Sequence, residues 1–255
     1  MNKHLNEREK QILEIIADRE SAGVGDLAES LGVSQVTVRA ALSSLEDRGY
    51  LVRTWGGASA AVHPGIIDRT LRMSDEKKRI ARAAADLVED GDTIMVEAGT
   101  TTALVVSYLL GRRDITLVSN STLVLPHARA NPGITLTTIG GIFRPETESF
   151  VGPVAREQLS QYHVRRAFIG TDGFSLSGGI STHLVEGAEI VRTMAGCADE
   201  VVLVADSSKY GKTGFVHVLP VIALDRIITD SGIESAMSSD DRELVVSGRP
   251  RIHIA

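Results

Sequence analysis

The run Ala98-Gly99-Thr100-Thr101-Thr102 joins a short apolar stretch, Thr93–Glu97, to a helical pattern. A glycine at such a junction lets backbone N–H groups approach an anion closely. The start of a helix supplies unpaired N–H groups and the positive end of its dipole, and hydroxyls add donors without bulk. This is the chemistry of a phosphate cradle; the plainer reading is a tight strand-to-helix turn capped by threonines. Nucleotide loops fit less well. No Gly-x-Gly-x-x-Gly follows the strand, and Gly211-Lys212-Thr213 ends like a Walker A loop but has Asp206 where the first glycine belongs.

Other polar groups close further apolar stretches: Glu97, Ser119-Asn120, Gly140-Gly141, Thr171-Asp172-Gly173 and Asp206-Ser207-Ser208-Lys209. A carboxylate or amide can hold sugar hydroxyls, and Lys209 can neutralise a phosphate. Each alone reads as a cap or turn residue; a shared edge would make them a pocket, because ligands collect at the carboxyl ends of parallel strands. The elements that must supply that edge follow from periodicity. Ile80, Ala84, Leu87 and Val88 recur at helical spacing, as do Ala103–Leu110 and Leu123–Arg129. Strands are predicted at Thr93–Val96, Ile115–Ser119, Ile134–Ile139, Ala167–Gly170, Val201–Ala205 and Arg226–Thr229. Such alternation predicts an α/β fold with a mostly parallel sheet and helices on both faces.

The first 58 residues differ. Asn6 caps a predicted helix over residues 6–19, with Ile12, Leu13 and Ile16 on one face. A second short helix ends at Gly32. Ser34 caps a third, with Val38, Leu42 and Leu45 inward and Val36, Ala40 and Ser43 outward. Leu51–Trp55 reads as a strand and Gly56-Gly57 as a hairpin tip. Three helices and a wing match the helix-turn-helix arrangement, whose third helix would enter a major groove; the plainer reading is a three-helix packing module with no DNA role. Gln35, Thr37 and Arg39 then lie near its leading end; Arg39 suits a guanine edge or a phosphate, and Val36 a thymine methyl. Ser34 and Thr37 suit phosphate oxygens, as does Arg53 on the wing. Trp55 either meets DNA or packs the wing onto the helices.

Composition narrows the classes. Net charge is −6, which disfavours nucleic-acid binding over the whole surface, and 4% aromatics leave few rings for stacking single strands. One cysteine excludes an internal disulfide, and seven singly scattered histidines do not make a metal site. His183 is the one near the expected pocket. No cofactor, metal or catalytic triad is expected. No apolar run approaches the ~18 residues of a membrane span, Met1–Glu7 has no secretory pattern, and a cytoplasmic location is the expectation. Domains are expected at 1–58 and 75–255, joined by a linker over 59–74 rich in small residues.

The string Ser34-Gln35-Val36-Thr37-Val38-Arg39, with Leu42, Leu45-Glu46, Gly49-Tyr50-Leu51, Arg53 and Trp55-Gly56-Gly57-Ala58, resembles the N-terminal signature of DeoR-family bacterial transcriptional regulators. The resemblance continues in order through Glu76–Ala81, Gly91–Ile94, Gly99-Thr100-Thr101, Ser119-Asn120, Gly140-Gly141, Gly152, Ala167–Gly173, Gly179–Thr182, Asp206–Lys209 and Ile228–Asp230. It implies a winged helix-turn-helix and a Rossmann-like domain similar in fold to ribose-phosphate isomerases. It also implies a regulator, acting as a repressor of a carbohydrate-utilisation operon, with operator DNA, a phosphorylated sugar effector and further copies of itself (dimer or tetramer) as partners. Ser34, Gln35, Val36, Thr37, Arg39, Ser43, Arg53, Trp55, Gly56 and Gly57 fall on the DNA side. Gly99–Thr102 would cradle phosphate, with Glu97, Ser119, Asn120, Gly140, Gly141, Asp172, Gly173 and Lys209 around it and either Glu186 or Glu189 completing the pocket. Two departures stand out. Members of that family commonly carry Arg-Arg-Asp-Leu where this chain has Arg39-Ala40-Ala41-Leu42, and often an Asp where it has Glu97. The rival reading is a phosphosugar isomerase with an appended helical module, in which Asp172, Glu186 and Lys209 would serve acid–base roles.

Overall fold

Helical spacing in the first segment becomes three helices: α1 (Glu7–Arg19), α2 (Val24–Leu31) and α3 (Gln35–Asp47). The computed structural model describes residues 5–19, 21–237 and 250–255, so Met1–His4 lie outside the described residues. Asn6 and Glu9 begin α1 reciprocally: each backbone N–H donates to the other's side chain at 2.9 Å. Ile12, Leu13, Ile16, Leu27, Val38, Leu42 and Leu45 are fully buried between the helices. Gly32 ends α2 at φ 64°, the left-handed conformation that glycine adopts without strain.

The wing is larger than the expected hairpin. β1 (Ser21–Gly23) pairs with β3 (Gly57–Ala60), which pairs with β2 (Leu51–Thr54), all antiparallel. The turn falls at Trp55-Gly56, and Gly57 already belongs to β3. Ser59 and Ala60 are in this sheet too, so the small-residue stretch read as a linker is ordered. After it, His63 caps α4 (Pro64–Leu71), its Nδ1 accepting the Gly65 N–H at 3.1 Å. Pro64 stands in the first helical turn, where its missing N–H is not needed, and Ile66 and Ile67 are buried. α4 packs on α1.

The chain divides into two compact units, residues 1–72 with 145–148, and residues 73–144 with 149–255. The second runs in order through α5 (Ser74–Ala85), β4 (Thr93–Val96), α6 (Thr100–Ser107), β5 (Ile115–Ser119), α7 (Leu125–Ala130), β6 (Ile134–Thr138), β7 (Ile142–Arg144) and β8 (Ser149–Val151). It continues through α8 (Pro153–Leu159), β9 (Val164–Ile169), β10 (Gly173–Ser175), β11 (Gly179–Thr182), α9 (Val185–Gly196), β12 (Ala198–Val204), β13 (Val216–Leu219), β14 (Arg226–Thr229), α10 (Gly232–Ala236) and β15 (Arg251–Ile254).

Among the described residues, seven strands form one sheet in the order β15-β14-β12-β9-β4-β5-β6, and each of these pairings is parallel. Both faces are covered, which is why these strands read as continuous apolar runs. Ile94, Val96, Phe168 and Val202 pack on the α5 and α6 side, while Met95, Ala167, Ile169 and Leu203 pack on the α8 and α9 side. The chain leaves β4 toward β6, then returns to place β9 on β4's other flank. The order therefore reverses between β4 and β9, and the crevice at the carboxyl ends of those two strands is where such sheets bind ligands.

The opposite edge of the sheet is closed by charge. Arg166, on β9, donates through Nη1 to Asp92 at 2.8 Å and through Nε to Glu200 at 2.7 Å. Arg226 also pairs with Glu200, and Arg165 with Asp92 and Glu89. Asp92 and Arg166 are both buried.

Candidate functional site

The first candidate surface is built by α3 and the wing. Ser34 caps α3: its Oγ accepts the Thr37 N–H at 3.2 Å and shares a 2.8 Å hydrogen bond with the Thr37 hydroxyl. That fixes the leading turn and leaves Gln35, Val36, Arg39 and Ala40 exposed, with Thr37 and Ser43 half-buried. Val36 is 73% exposed on the outer face of α3. Arg39 reaches back to Gln35 Oε1 at 3.3 Å, a weak contact that holds the guanidinium over the leading end of α3. On the wing, Arg53 is exposed, its backbone N–H held by Glu46 at 3.2 Å. Trp55 is fully exposed at the turn, so it does not pack the wing onto the helices.

Gly56 and Gly57 have different roles. Gly56 sits exposed in the turn at φ 86°. Gly57 is buried, and a Cβ there would lie 2.3 Å from the Ala22 carbonyl oxygen. The expected DNA contact at Gly57 is therefore corrected: it is the point where β1 and β3 press together, and the sequence offered no sign of β1. Trp55 is the chain's one tryptophan. Its emission is expected to change in intensity on titration with duplex DNA, while Trp55→Phe removes the signal; unchanged emission under demonstrated binding would place the wing tip off the duplex.

The second candidate site lies at the reversal point of the sheet. Glu97 directly follows β4, and Gly99 is the N-cap of α6, whose amino end faces the crevice at the carboxyl ends of the strands. Glu97 Oε2 accepts the Gly170 N–H at 3.1 Å, linking the end of β4 to the end of β9. Asn120, buried after β5, accepts the Ala98 N–H at 3.1 Å and donates to the Phe150 carbonyl at 3.0 Å, holding the turn in place. Gly99 approaches closely: a Cβ there would stand 2.9 Å from Thr102 Oγ1.

Asp172 follows β9. Its Oδ2 accepts the Thr182 hydroxyl at 2.8 Å and the His183 N–H at 3.0 Å. Burial opposes its charge, but the His183 N–H, the Thr182 hydroxyl and the nearby Lys209 ammonium outweigh it and hold the carboxyl below the usual carboxylate range. Lys209 ends the short turn Ser207–Lys209 after β12, which Asp206 caps by accepting the Ser208 N–H at 3.2 Å. Glu97, Gly99, Thr100, Asp172 and Lys209 thus hang from three adjacent strands, β4, β9 and β12. Together they offer an amino helix end, carboxylate acceptors and a cation, a set suited to a small polyhydroxylated anion.

Several expected participants have other partners. Thr102 is fully buried and its hydroxyl donates to the Gly99 carbonyl at 2.9 Å; Thr101 is 8% exposed. The expectation of three open hydroxyls is corrected to Thr100, half-buried at the helix start. Ser119 is buried and donates to the Val96 carbonyl at 2.6 Å. Gly140 donates its N–H to Gln158 Oε1 at 2.8 Å. Gly141 lies at φ 141° under β8, where a Cβ would meet the Val151 carbonyl oxygen at 2.6 Å. Gly173 is buried against the Lys212 carbonyl, 2.2 Å from a Cβ. These are positions that shape the edge. Glu186 and Glu189, both on α9, pair with Arg144 at 2.7 Å and Arg156 at 3.3 Å. The arginine partners were missed because they come from β7 and α8, which share no motif with α9. Among the described residues no group of three or more His, Cys, Asp or Glu could hold a metal ion, and no helix is long and apolar enough to cross a membrane.

A family model described as the DeoR C terminal sensor domain matches residues 72–231, and one for the DeoR-like helix-turn-helix domain matches residues 8–63. The chain is 32% identical to the uncharacterized HTH-type transcriptional regulator YulB of Bacillus subtilis, over 96% of each chain. It is 31% identical to the HTH-type transcriptional regulator GlpR of Haloferax volcanii, over 94% of each. It is 30% identical to the HTH-type transcriptional repressor CsqR of Escherichia coli, over 92% of this chain and 91% of the relative. Among solved structures, ribose 5-phosphate isomerase A from Methanocaldococcus jannaschii aligns over 54% of this chain and 55% of that one, at 23% identity and a TM-score of 0.41.

Proposed function

The chain belongs to the DeoR family of DNA-binding transcriptional regulators, and from that premise we propose that it represses a carbohydrate-utilisation operon under the control of a phosphorylated sugar. It is a regulator, not an enzyme: its full-length relatives are named as regulators across both domains. The observation that carries the effector reading is the opening of α6 at the sheet's reversal point, with the Asp172 carboxylate and the Lys209 ammonium on the neighbouring strands. In this reading the phosphate rests on the first N–H groups of α6, Lys209 balances its charge, and Glu97 and Asp172 accept sugar hydroxyls. Glu186 or Glu189 reaches the ligand only by leaving its arginine.

The DNA reading assigns Val36, Gln35, Thr37 and Arg39 to the major groove and Arg53, Trp55 and Gly56 to the wing contact. Two copies of the chain would read half-sites about 34–36 Å apart, or multiples of that. The setting is cytoplasmic, where operator DNA and phosphorylated sugars meet.

A ligand that binds only the folded state raises its melting temperature; at a hundred times its dissociation constant the gain is about 2.7 kcal/mol. A melting-temperature screen of the whole chain against pentose and hexose phosphates is expected to yield at least one compound that raises the transition, with its unphosphorylated parent inert. If every sugar phosphate leaves the transition unmoved, the effector assignment fails.

A further inference from the structure

We propose that Arg8, on the first turns of α1, is a DNA phosphate clamp that works beside the α3 recognition helix; the inference rests on the duplex-binding reading above. A groove of about 400 Å³ runs between α1 and α3, lined by Asn6, Arg8, Glu9, Thr37, Ala40, Ala41 and Ser44. Thr37, Ala40, Ala41 and Ser44 recur at helical spacing, so they form one flank of α3, next to the exposed face that carries Val36 and Arg39. A helix with its side chains is about 10–12 Å across, and the major groove is about 12 Å wide. A helix seated there has a phosphate backbone along each flank, and one of those backbones runs along this groove.

The chemistry of the groove suits that occupant. Ala40 and Ala41 line it, and their small side chains leave room for a phosphodiester. Its acid is already engaged: Glu9 is 3% exposed and holds the Asn6 N–H at 2.9 Å and Arg48 at 3.3 Å. Neighbouring cations are committed as well. Lys10 pairs with Glu7, and Arg48 also lies over the Tyr50 ring, 5.3 Å from its centroid. Arg8 is different. Its side chain is exposed and makes no ion pair or hydrogen bond among the described residues, so its full charge and five donors face the groove mouth. The α3 flank of the groove, Thr37, Ala40, Ala41 and Ser44, carries no charged side chain. Arg8 thus delivers from α1 a cation that this flank lacks.

The test needs no knowledge of the operator, because a phosphate contact acts on any sequence. The probe is a labelled mixed-sequence duplex, its anisotropy titrated with the full chain between 50 and 200 mM salt. Each phosphate contact contributes a slope of roughly −0.9 in log affinity against log salt. Arg8→Ala is expected to weaken binding at low salt and to flatten that slope by about one, so that wild-type affinity falls about threefold more than the variant's across the range. Arg8→Lys keeps the slope. Arg19→Ala, at the far end of the same helix, matches wild type. Since Arg8 has no partner among the described residues, its variants should melt as the wild type does, and Arg8→Gln provides a second neutral variant. A wild type that binds with a slope unchanged in both Arg8→Ala and Arg8→Gln overturns the clamp and leaves the regulator reading standing. A wild type that binds no duplex at any salt overturns both.

Discussion

Arg166→Ala is expected to lower the stability of the sheet-containing unit by about 3–5 kcal/mol, the cost of removing one partner from a buried ion pair. For a chain of this size that is a fall in melting temperature on the order of 10 °C. The reason is what the truncation leaves behind. Asp92 is 5% exposed and Glu200 stands on the adjacent strand, and Arg166 is the group that joins them. Without it, part of two carboxylates' neutralisation is lost where water cannot replace it. The network also sets the response to acid. Burial works against the Asp92 charge, but the Glu89 N–H and the Arg165 and Arg166 guanidinium groups hold its carboxyl below the usual range. A carboxyl lowered by folding stabilises the protein above its unfolded value of about 3.9, and that contribution fades as the pH falls toward the folded value. Stability of the wild type should therefore drop as the pH passes below about 4, and Arg166→Ala should lose less there. Urea unfolding across pH 3–7, followed by circular dichroism, measures both. A change under about 1 kcal/mol at neutral pH would mean that Arg165 and Arg226 suffice to balance the cluster.

The second large effect concerns the ligand crevice. Lys209→Ala is expected to leave duplex binding intact and to weaken the response to the sugar phosphate found by melting screen on the order of ten- to a hundredfold, the loss of one charge-assisted hydrogen bond at about 1.5–3 kcal/mol. Lys209 is half-buried on a short turn, and its ammonium acts on Asp172. The substitution therefore removes the positive charge from the crevice and leaves the Asp172 carboxylate facing an incoming anion. Asp172 keeps its hydrogen bonds from Thr182 and His183, so the fold should survive. The measurement pairs a ligand titration of melting temperature with duplex anisotropy in the same preparation. Loss of both activities would make Lys209 a structural residue; retention of full ligand response would move the phosphate elsewhere along the edge.

Much of the architecture was legible from short-range pattern. The helices around Ile12, Val38 and Leu45, the Ser34 cap, the Gly32 end and the six expected strands of the parallel sheet follow from periodicity and from turn chemistry, which act over a few residues. What escaped depends on contacts distant in sequence. β1 is three small residues whose strand character comes only from pairing with Gly57–Ser59. His63-Pro64-Gly65 reads as a break, yet Pro64 starts a helix because buried Ile66 and Ile67 follow it. The same divide runs through the crevice. Glu97, Asp172 and Lys209 are polar groups just past strand ends, so their gathering could be expected. Which hydroxyls face outward could not: Thr100, Thr101 and Thr102 are identical in sequence, and only the turn's geometry sends Thr102 back to Gly99. The arginines beside Glu186 and Glu189 are set by tertiary placement alone.

The bond from Gly170 to Glu97 has a bearing on how occupancy could be felt at a distance. It spans the seam where the outgoing and returning halves of the sheet meet, and it uses the same oxygen that a sugar hydroxyl would seek. A ligand that took hold of Oε2 would compete with a backbone amide of the neighbouring strand, so on the proposed reading filling the crevice would loosen the seam. The length of the Glu97 side chain is what lets a single carboxylate reach across that boundary.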